Sequence, residues 1–205
     1  FIKDISIRVN IDSENINEFP KLLDAFEAAG LPKSLPILPS RVESNTKACQ
    51  SVSESVVDLP EFSKKQVKLF KMILDRKMDT SFLPHLYQYA CCAIQKNSII
   101  VHPGGDIYKC WSTIGDKREC LGNINDESYS FSTDNKWVSY DPLENAKCLN
   151  CNILPICTSN CSFLKLGAEA YQAPDGGCSE WKYKLPELIR FIYAEHKFRK
   201  ELQRA

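Results

Sequence analysis

The sequence has no net charge, because 26 Lys and Arg residues balance 26 Asp and Glu residues among its 205. Without a basic excess, nothing favours binding to phosphate backbones or anionic lipid, and nucleic acid is not an expected partner. The chain also lacks an apolar run near the roughly 18 to 20 residues that cross a bilayer, and its start has no export-signal pattern. We therefore expect no membrane insertion and a cytoplasmic protein.

Motifs of common enzyme classes are lacking as well. No Ser/His/Asp arrangement and no glycine-rich phosphate loop is recognisable. The three histidines, His85, His102 and His196, are scattered, and each is expected to be a surface or capping residue. With 43% hydrophobic and 25% charged residues, the composition is still that of a globular chain with a core.

Cysteine is the residue type that departs from the ordinary. Nine of the ten cysteines lie between Cys91 and Cys178, and the rest of the chain holds only Cys49. The chain therefore divides into a cysteine-poor and a cysteine-dense part.

The cysteine-poor part begins with a strand–helix–strand pattern. Residues 4–12 alternate between apolar and polar, residues 14–30 have helical spacing and end at Gly30, and an apolar run at 35–38 follows. This order predicts a βαβ unit with parallel strands. In a (β/α) barrel the polar strand face would line the lumen, whereas on an edge strand it would meet solvent; it comprises Ser6, Arg8 and Asn10.

The remaining elements follow from local patterns. Residues 40–55 predict a loop, 59–78 and 179–204 predict helices, and 98–111 predict a β-hairpin in which Gly105 needs a positive φ. If residues 154–166 are helical, Cys157 and Cys161 share a face and would reach one metal site. The fold class is therefore α+β.

The spacing of the thiols separates three chemistries. The run from Cys148 to Cys161 reads C-x2-C-x5-C-x3-C, and Cys178 follows sixteen residues later. Disulfides are disfavoured because the chain has ample apolar content and no export signal. Structural zinc normally takes two C-x2-C-like pairs, and only one is present. Short, unequal spacings suit cuboidal iron–sulfur clusters, and seven or more cysteines exceed the four that one cluster needs, so two clusters are the simplest interpretation.

The order of these cysteines resembles a known domain. Cys91, Gly105 and Cys110 stand in the pattern C-x13-G-x4-C, the four-cysteine run follows, and Cys178 completes seven. With the accompanying GGDIYKCW, LGNI and LPIC, residues 91–178 resemble the SPASM domain of radical S-adenosylmethionine (SAM) enzymes. Upstream, ISIRVNID, the following helix and LPILP resemble the last units of the partial (β/α)6 barrel that precedes this domain.

The resemblance implies the domains and the cofactors. Residues 1–80 would be the end of a partial (β/α) barrel, and residues 81–205 a SPASM iron–sulfur domain with a β-hairpin and a C-terminal helix. That domain would hold two auxiliary [4Fe–4S] clusters. The first would be bound by Cys91, Cys110 and Cys161, and the second by Cys148, Cys151, Cys157 and Cys178.

This ligand assignment has two consequences for the chain. It separates Cys157 from Cys161, which requires the chain to turn or straighten between them. It also implies SAM as a cofactor of the full-length enzyme. The polar strand face, which comprises Ser6, Arg8 and Asn10, would at most complete the SAM pocket.

Several alternatives stay open within this assignment. A strand would point only one of the neighbours Cys91 and Cys92 at the first cluster. That cluster has three assigned thiolates, and Cys92, Cys120, an oxygen ligand or an open iron site would complete it. Otherwise Cys120 and Cys49 are expected to be small buried residues. Core packing or cluster shielding is expected for Trp111, Trp137 and Trp181.

The resemblance implies an oxidoreductase that modifies a peptide or protein, and we favour a thioether-forming peptide maturase. Anaerobic sulfatase-maturating relatives carry Asp directly after the cysteine that corresponds to Cys110, where this chain has Trp111. The family's radical-generating loop, C-x3-C-x2-C, is absent, and the chain starts at Phe1 without Met, so we expect an upstream half to be missing. The competing hypothesis is a non-catalytic zinc or iron–sulfur module.

Overall fold

The computed structural model describes residues 5–80, 91–126, 135–141, 143–158, 160–166 and 177–202. It is a mixed fold of helices and two small sheets. The chain forms two compact units, Phe1–Pro84 together with Glu180–Ala205, and His85–Ser179. The C-terminal helix, which the sequence division at residue 80 grouped with the second domain, belongs to the first unit.

The first unit begins with the predicted strand–helix–strand pattern. Its two strands pair in parallel, with Ile7 beside Ile37 and Ile11 beside Arg41. The polar face of the first strand is exposed, whereas Ile11 is buried, so the period-2 prediction is confirmed. The elements are β1 (Ile7–Ile11), α1 (Phe19–Ala28) and β2 (Ile37–Arg41).

Helix α1 is shorter than the predicted 14–30 because a separate 3-10 turn, Ile16–Glu18, precedes it. Its end is as predicted. Gly30 has a φ of 68° and donates its N–H to the carbonyl of Glu27 at 3.0 Å, while Leu31 donates to Phe26 at 3.1 Å. These paired bonds satisfy the last carbonyls of the helix, and the left-handed position favours glycine.

Helix α2 (Leu59–Asp75) is the main packing partner of the sheet in this unit. The Asp58 side chain accepts a hydrogen bond from the Glu61 N–H at 3.3 Å, so it caps the first turn. The segment 40–55, predicted as a loop, contains the end of β2 and a nine-residue 3-10 helix, Lys47–Ser55. The shared core includes Ile11, Phe19, Leu23, Ile37, Phe62, Phe70, Ile73 and Leu188.

Helix α6 (Trp181–Leu202) packs on α2 and breaks near its start. Lys184 has φ −142° and ψ 15°, two residues before Pro186, which cannot continue a regular helix because it lacks an N–H. The Lys184 side chain is only 1% exposed and donates to the Gln66 side-chain oxygen. Gln66 in turn donates to the Pro39 carbonyl at 3.0 Å, so one buried polar chain connects α6, α2 and β2.

The second unit is built on a three-stranded antiparallel sheet with the order β3–β4–β5. The predicted hairpin is confirmed, and the short third strand is an addition that the sequence pattern did not reveal. The strands are β3 (Ile100–Val101), β4 (Asp106–Tyr108) and β5 (Gly122–Asn123). Three short helices follow, α3 (Ala146–Leu149), α4 (Leu154–Cys157) and α5 (Ser162–Leu166).

None of the helices in the described ranges is long and apolar enough to cross a membrane.

The buried lysine predicts a pH-dependent stability. Burial lowers the pKa of Lys184 from 10.5 to about 8, although the carboxylates of Glu180 and Glu187 act in the opposite direction. Between these two values the unfolded chain binds more protons than the folded chain, so the free energy of unfolding should rise with pH in this window. We expect a rise of up to about 3 kcal/mol. Urea unfolding at several pH values between 8 and 10 should show this slope in the wild type.

The control is Lys184→Met, which removes the titrating group. Its unfolding free energy should lack this component of the slope. Equal slopes in the two proteins would contradict the role of Lys184.

Candidate metal centre

The hairpin positions the first cysteines of the dense region. Cys91 precedes a 3-10 turn, Cys92–Ile94, and Cys110 follows β4. Gly105, in the turn between the strands, has a φ of 90°, so the predicted positive φ is confirmed. Its N–H donates to the His102 carbonyl at 2.7 Å, and its carbonyl accepts from Ile124 at 2.8 Å.

Three thiols lie together around this hairpin, and we call Cys91, Cys110 and Cys161 the first thiol group. Cys110 is 6% exposed, and Cys91 and Cys161 pack against the same apolar cluster. Burial raises the pKa of the Cys110 thiol, and the thiolates of Cys161 and Cys91 add to this, although hydrogen bonds to Ser112 lower it. The apolar wall of this group consists of Ala93, Trp137, Phe163 and Leu164.

The adjacent residues Cys91 and Cys92 lie in different surroundings. Cys92 is exposed, and its thiolate interacts with the ammonium of Lys109, whereas Cys91 interacts with Cys110. Lys109 is itself buried and donates to the carbonyls of Gln95 and Ser98, each at 2.5 Å. Of the two adjacent cysteines that the sequence left open, the structure therefore groups Cys91 with the first thiol group.

Four further thiols form a second set, and we call Cys148, Cys151, Cys157 and Cys178 the second thiol group. Burial raises the pKa of the Cys157 thiol, and the charges of the other three thiolates raise it further. The backbone N–H of Ser179 opposes this by hydrogen bonding to Cys157. Since Ser179 follows Cys178 directly, this bond ties the returning chain to the end of α4.

The two groups are separated by a break in the chain. No continuous helix spans 154–166, because α4 ends at Cys157 and α5 begins at Ser162, so the chain turns between Cys157 and Cys161 as the ligand assignment requires. Between them Thr158 and Asn160 have left-handed backbones, with φ of 44° and 53°. A left-handed residue reverses the direction of a helical chain, so Cys157 and Cys161 no longer share a face.

The other cysteines have separate partners. The Cys120 thiol donates to the Gly122 carbonyl at 3.3 Å and interacts with Lys117 beside the hairpin. Cys49 in the first unit is half-buried, and its sulfur accepts a hydrogen bond from the Thr46 hydroxyl at 3.4 Å. These partners lie outside the two thiol groups, and none of the ten cysteines forms a disulfide.

The three tryptophans lie in three different environments. Trp137 is 2% exposed, packs on the first thiol group and donates its ring N–H to Glu119 at 3.3 Å. Trp181 packs against the core of the first unit. Trp111, in contrast, is 76% exposed although it follows the buried Cys110, so the expectation of core or shielding does not hold for it.

The remaining candidates lie apart from the thiols in sequence. Arg8 and Asn10 are exposed on β1, where Arg8 donates to the Asn10 side chain at 3.1 Å, and Ser6 is exposed just before this strand. His102 accepts a hydrogen bond from the Gly104 N–H, and His196 is exposed, as expected of capping and surface residues. His85 lies outside the described residues.

The donor set fits iron–sulfur ligation. Across the described segments, no three His, Cys, Asp or Glu side chains approach closely enough to hold a single metal ion. A cuboidal cluster has a different requirement, because each thiolate binds a different iron. Burial and neighbouring sulfurs raise the pKa of the Cys110 and Cys157 thiols, and the cations of an iron–sulfur core would compensate the negative charge of thiolates at these positions.

Comparisons with known proteins identify similar folds. No family model matches the sequence, and no curated protein matches it. The fold is similar to that of native anSMEcpe with bound AdoMet, with a TM-score of 0.51 and 16% identity over 90% of this chain and 56% of that chain. Native anSMEcpe with bound AdoMet and Kp18Cys peptide has a TM-score of 0.49 and 15% identity at the same coverage. The chain thus spans just over half the length of these proteins.

The hairpin turn generates a prediction for Gly105→Ala. A Cβ at this position would lie 2.5 Å from the side chains of both Asn123 and Asn125, in addition to the strain of a positive φ. We expect a loss of about 1 to 3 kcal/mol in the unfolding free energy. Because Cys91 and Cys110 flank this hairpin, iron bound by the first thiol group should fall more than iron bound by the second.

Gly115→Ala is the matched control. Gly115 has a φ of 88°, but a Cβ there would have no neighbour within 4 Å. It should therefore show the backbone strain without the crowding. Equal effects of the two variants in thermal unfolding and iron analysis would contradict a specific role for the Gly105 turn.

Proposed function

We propose that this chain is the C-terminal part of a radical SAM/SPASM oxidoreductase that modifies a peptide or protein, and that its thiol groups hold two auxiliary [4Fe–4S] clusters. The observation that carries the proposal is the separation of seven thiols into a group of three and a group of four. A helix would have merged them through Cys157 and Cys161. The break between these residues favours two centres over one.

When bound, such clusters supply one-electron transfer. The chain supplies the surroundings. Trp137, Phe163 and Leu164 keep water from the first thiol group, and the hydrogen bonds of Ser112 and Ser179 stabilise thiolates at Cys110 and Cys157. Exclusion of water and hydrogen bonds to sulfur are two of the factors that set the reduction potential of such a centre.

The fold likeness to anSMEcpe, whose structure contains AdoMet, supports a SAM-dependent parent enzyme. In this proposal β1 and β2 are the end of a partial (β/α) barrel. The exposed polar residues on β1 and just before it then face the lumen and complete a SAM pocket whose other walls come from an upstream half; they are Ser6, Arg8 and Asn10. A reducing compartment such as the cytoplasm suits free thiols that bind iron.

Within this class we favour a maturase that forms thioether crosslinks in a peptide. The residue after Cys110 is Trp111, whose exposed indole offers no proton-accepting carboxylate. The second candidate is an anaerobic sulfatase-maturating enzyme, in keeping with the fold of anSMEcpe. A zinc or iron–sulfur scaffold without catalytic function is the competing class.

Metal analysis of the chain purified without oxygen tests the proposal. We expect a brown protein with about eight irons per chain and two distinct paramagnetic signals after reduction. A colourless protein that binds zinc alone would instead support the scaffold.

Single substitutions assign the two centres. Cys110→Ser should remove the signal of the first thiol group and leave the second, and Cys157→Ser should do the reverse, because each replaces a thiolate of only one group. Cys49→Ser, in the first unit, is the control and should retain about eight irons. Loss of both signals in each of the two variants would indicate one shared centre.

The chain alone should not cleave SAM. Reductive cleavage needs a cluster with one iron that no protein group binds, and the sequence lacks the C-x3-C-x2-C loop that provides it in the resembled family. Adding dithionite and SAM to the iron-loaded chain should therefore yield no catalytic 5′-deoxyadenosine. Turnover would mean that one of the two thiol groups is the radical-generating site.

A further inference from the structure

The Asn160 side chain contacts the backbone at Cys178, next to the Ser179 N–H that bonds to Cys157. The Asn160 amide donates to the carbonyls of both Gly177 and Cys178, each at 3.2 Å. Its own backbone N–H donates to the Cys157 carbonyl at 2.8 Å. Asn160 thus connects the backbones of two thiol ligands that are 21 positions apart in the sequence.

Gly177 gives the returning chain the space to reach this position. It has a φ of 68°, and a Cβ there would lie 2.7 Å from the Cβ of Leu164. Leu164 belongs to α5, which begins directly after Cys161, and it also packs on the first thiol group. Gly177, the residue before Cys178, therefore lies against the helix that directly follows Cys161 of the first thiol group.

We infer that Asn160 is the positioning residue that places Cys178 in the second thiol group, with Gly177 allowing the close approach. This inference rests on the proposed function, because it assumes that the second thiol group binds a cluster. It gives two roles to one turn, which separates Cys157 from Cys161 and also positions Cys178.

The chemistry of the position restricts it to few residue types. Asparagine tolerates a left-handed backbone and offers two N–H donors, which is what two facing carbonyls need. Glycine keeps the backbone but has no donor. Aspartate has the size of asparagine and tolerates the same left-handed backbone. Its negative carboxylate would, however, face the partially negative carbonyl oxygens of Gly177 and Cys178. These two substitutions therefore separate backbone effects from donor effects.

The test uses the iron-loaded chain with Asn160→Gly and Asn160→Asp. The signal of the second thiol group should be lost or its midpoint potential shifted, more strongly in Asn160→Asp, while the first signal keeps its potential. Loss of the second centre would reduce the iron from about eight to about four per chain. If both variants keep two signals at unchanged potentials and about eight irons per chain, the inference is overturned.

Asn150→Asp is the matched control. Asn150 lies beside Cys151 and also donates its side-chain amide to a backbone carbonyl, but this carbonyl is that of Ala146 in α3, at 2.9 Å, rather than that of Gly177 or Cys178. It introduces the same charge near the same thiol group, and both signals should persist. If it changed the second signal as much as Asn160→Asp, added charge rather than positioning would be the cause, and the inference would fail.

Metal-free protein provides a second measurement that does not depend on cluster loading. Without the Asn160 bonds, the Cys178 segment should open more often, and the alkylation rate of Cys178 relative to Cys148 should rise about threefold to tenfold in Asn160→Gly. An unchanged ratio would overturn the inference. A wild-type chain that binds no second cluster would refute the proposed function, whereas a wild type with two clusters and indifferent Asn160 variants would refute only the role of Asn160.

Discussion

The placing of partly buried thiols beside one another is the constraint on which the second unit depends. Burial already disfavours the charged form of Cys110 and of Cys157, and each has further sulfurs as neighbours. These cysteines are electrostatically stable in the folded unit only when their thiols are protonated or when a cation lies among them. In the proposed function, metal binding and folding of this unit would therefore be coupled, because ligands must be deprotonated to bind metal and the same thiols lie against the apolar wall.

Local chemistry was sufficient to predict much of the fold. The alternation of β1, the glycine at the end of α1 and the positive φ of Gly105 each depend on a few neighbouring residues. The short strand β5 was missed because Gly122–Asn123 is too short for any periodicity. The association of α6 with the first unit is a long-range contact, and nothing in the amphipathic pattern of a helix identifies its partner.

The site was predictable in its residue types but less so in its geometry. Helical spacing over 154–166 suggested one face for Cys157 and Cys161, because periodicity assumes a right-handed backbone throughout. The left-handed conformation of Thr158 overrides it, and threonine gives no local warning of that conformation. Asn160 is a residue type that tolerates it, and this was the available signal. Lys109 and Lys184 also escaped prediction, since charged side chains are normally assigned to the surface.

The first unit is discontinuous in sequence, because α6 returns to it after the whole of His85–Ser179. For the first unit, the thiol-bearing segment is thus a closed loop between α2 and α6. Bringing the two ends of a disordered loop together costs conformational entropy, and this cost grows only slowly with loop length. An ordered insert has far fewer conformations, so it loses less entropy when its ends are brought together. An ordered insert therefore lowers the entropic cost of bringing α2 and α6 together, although the two helices are far apart in the sequence.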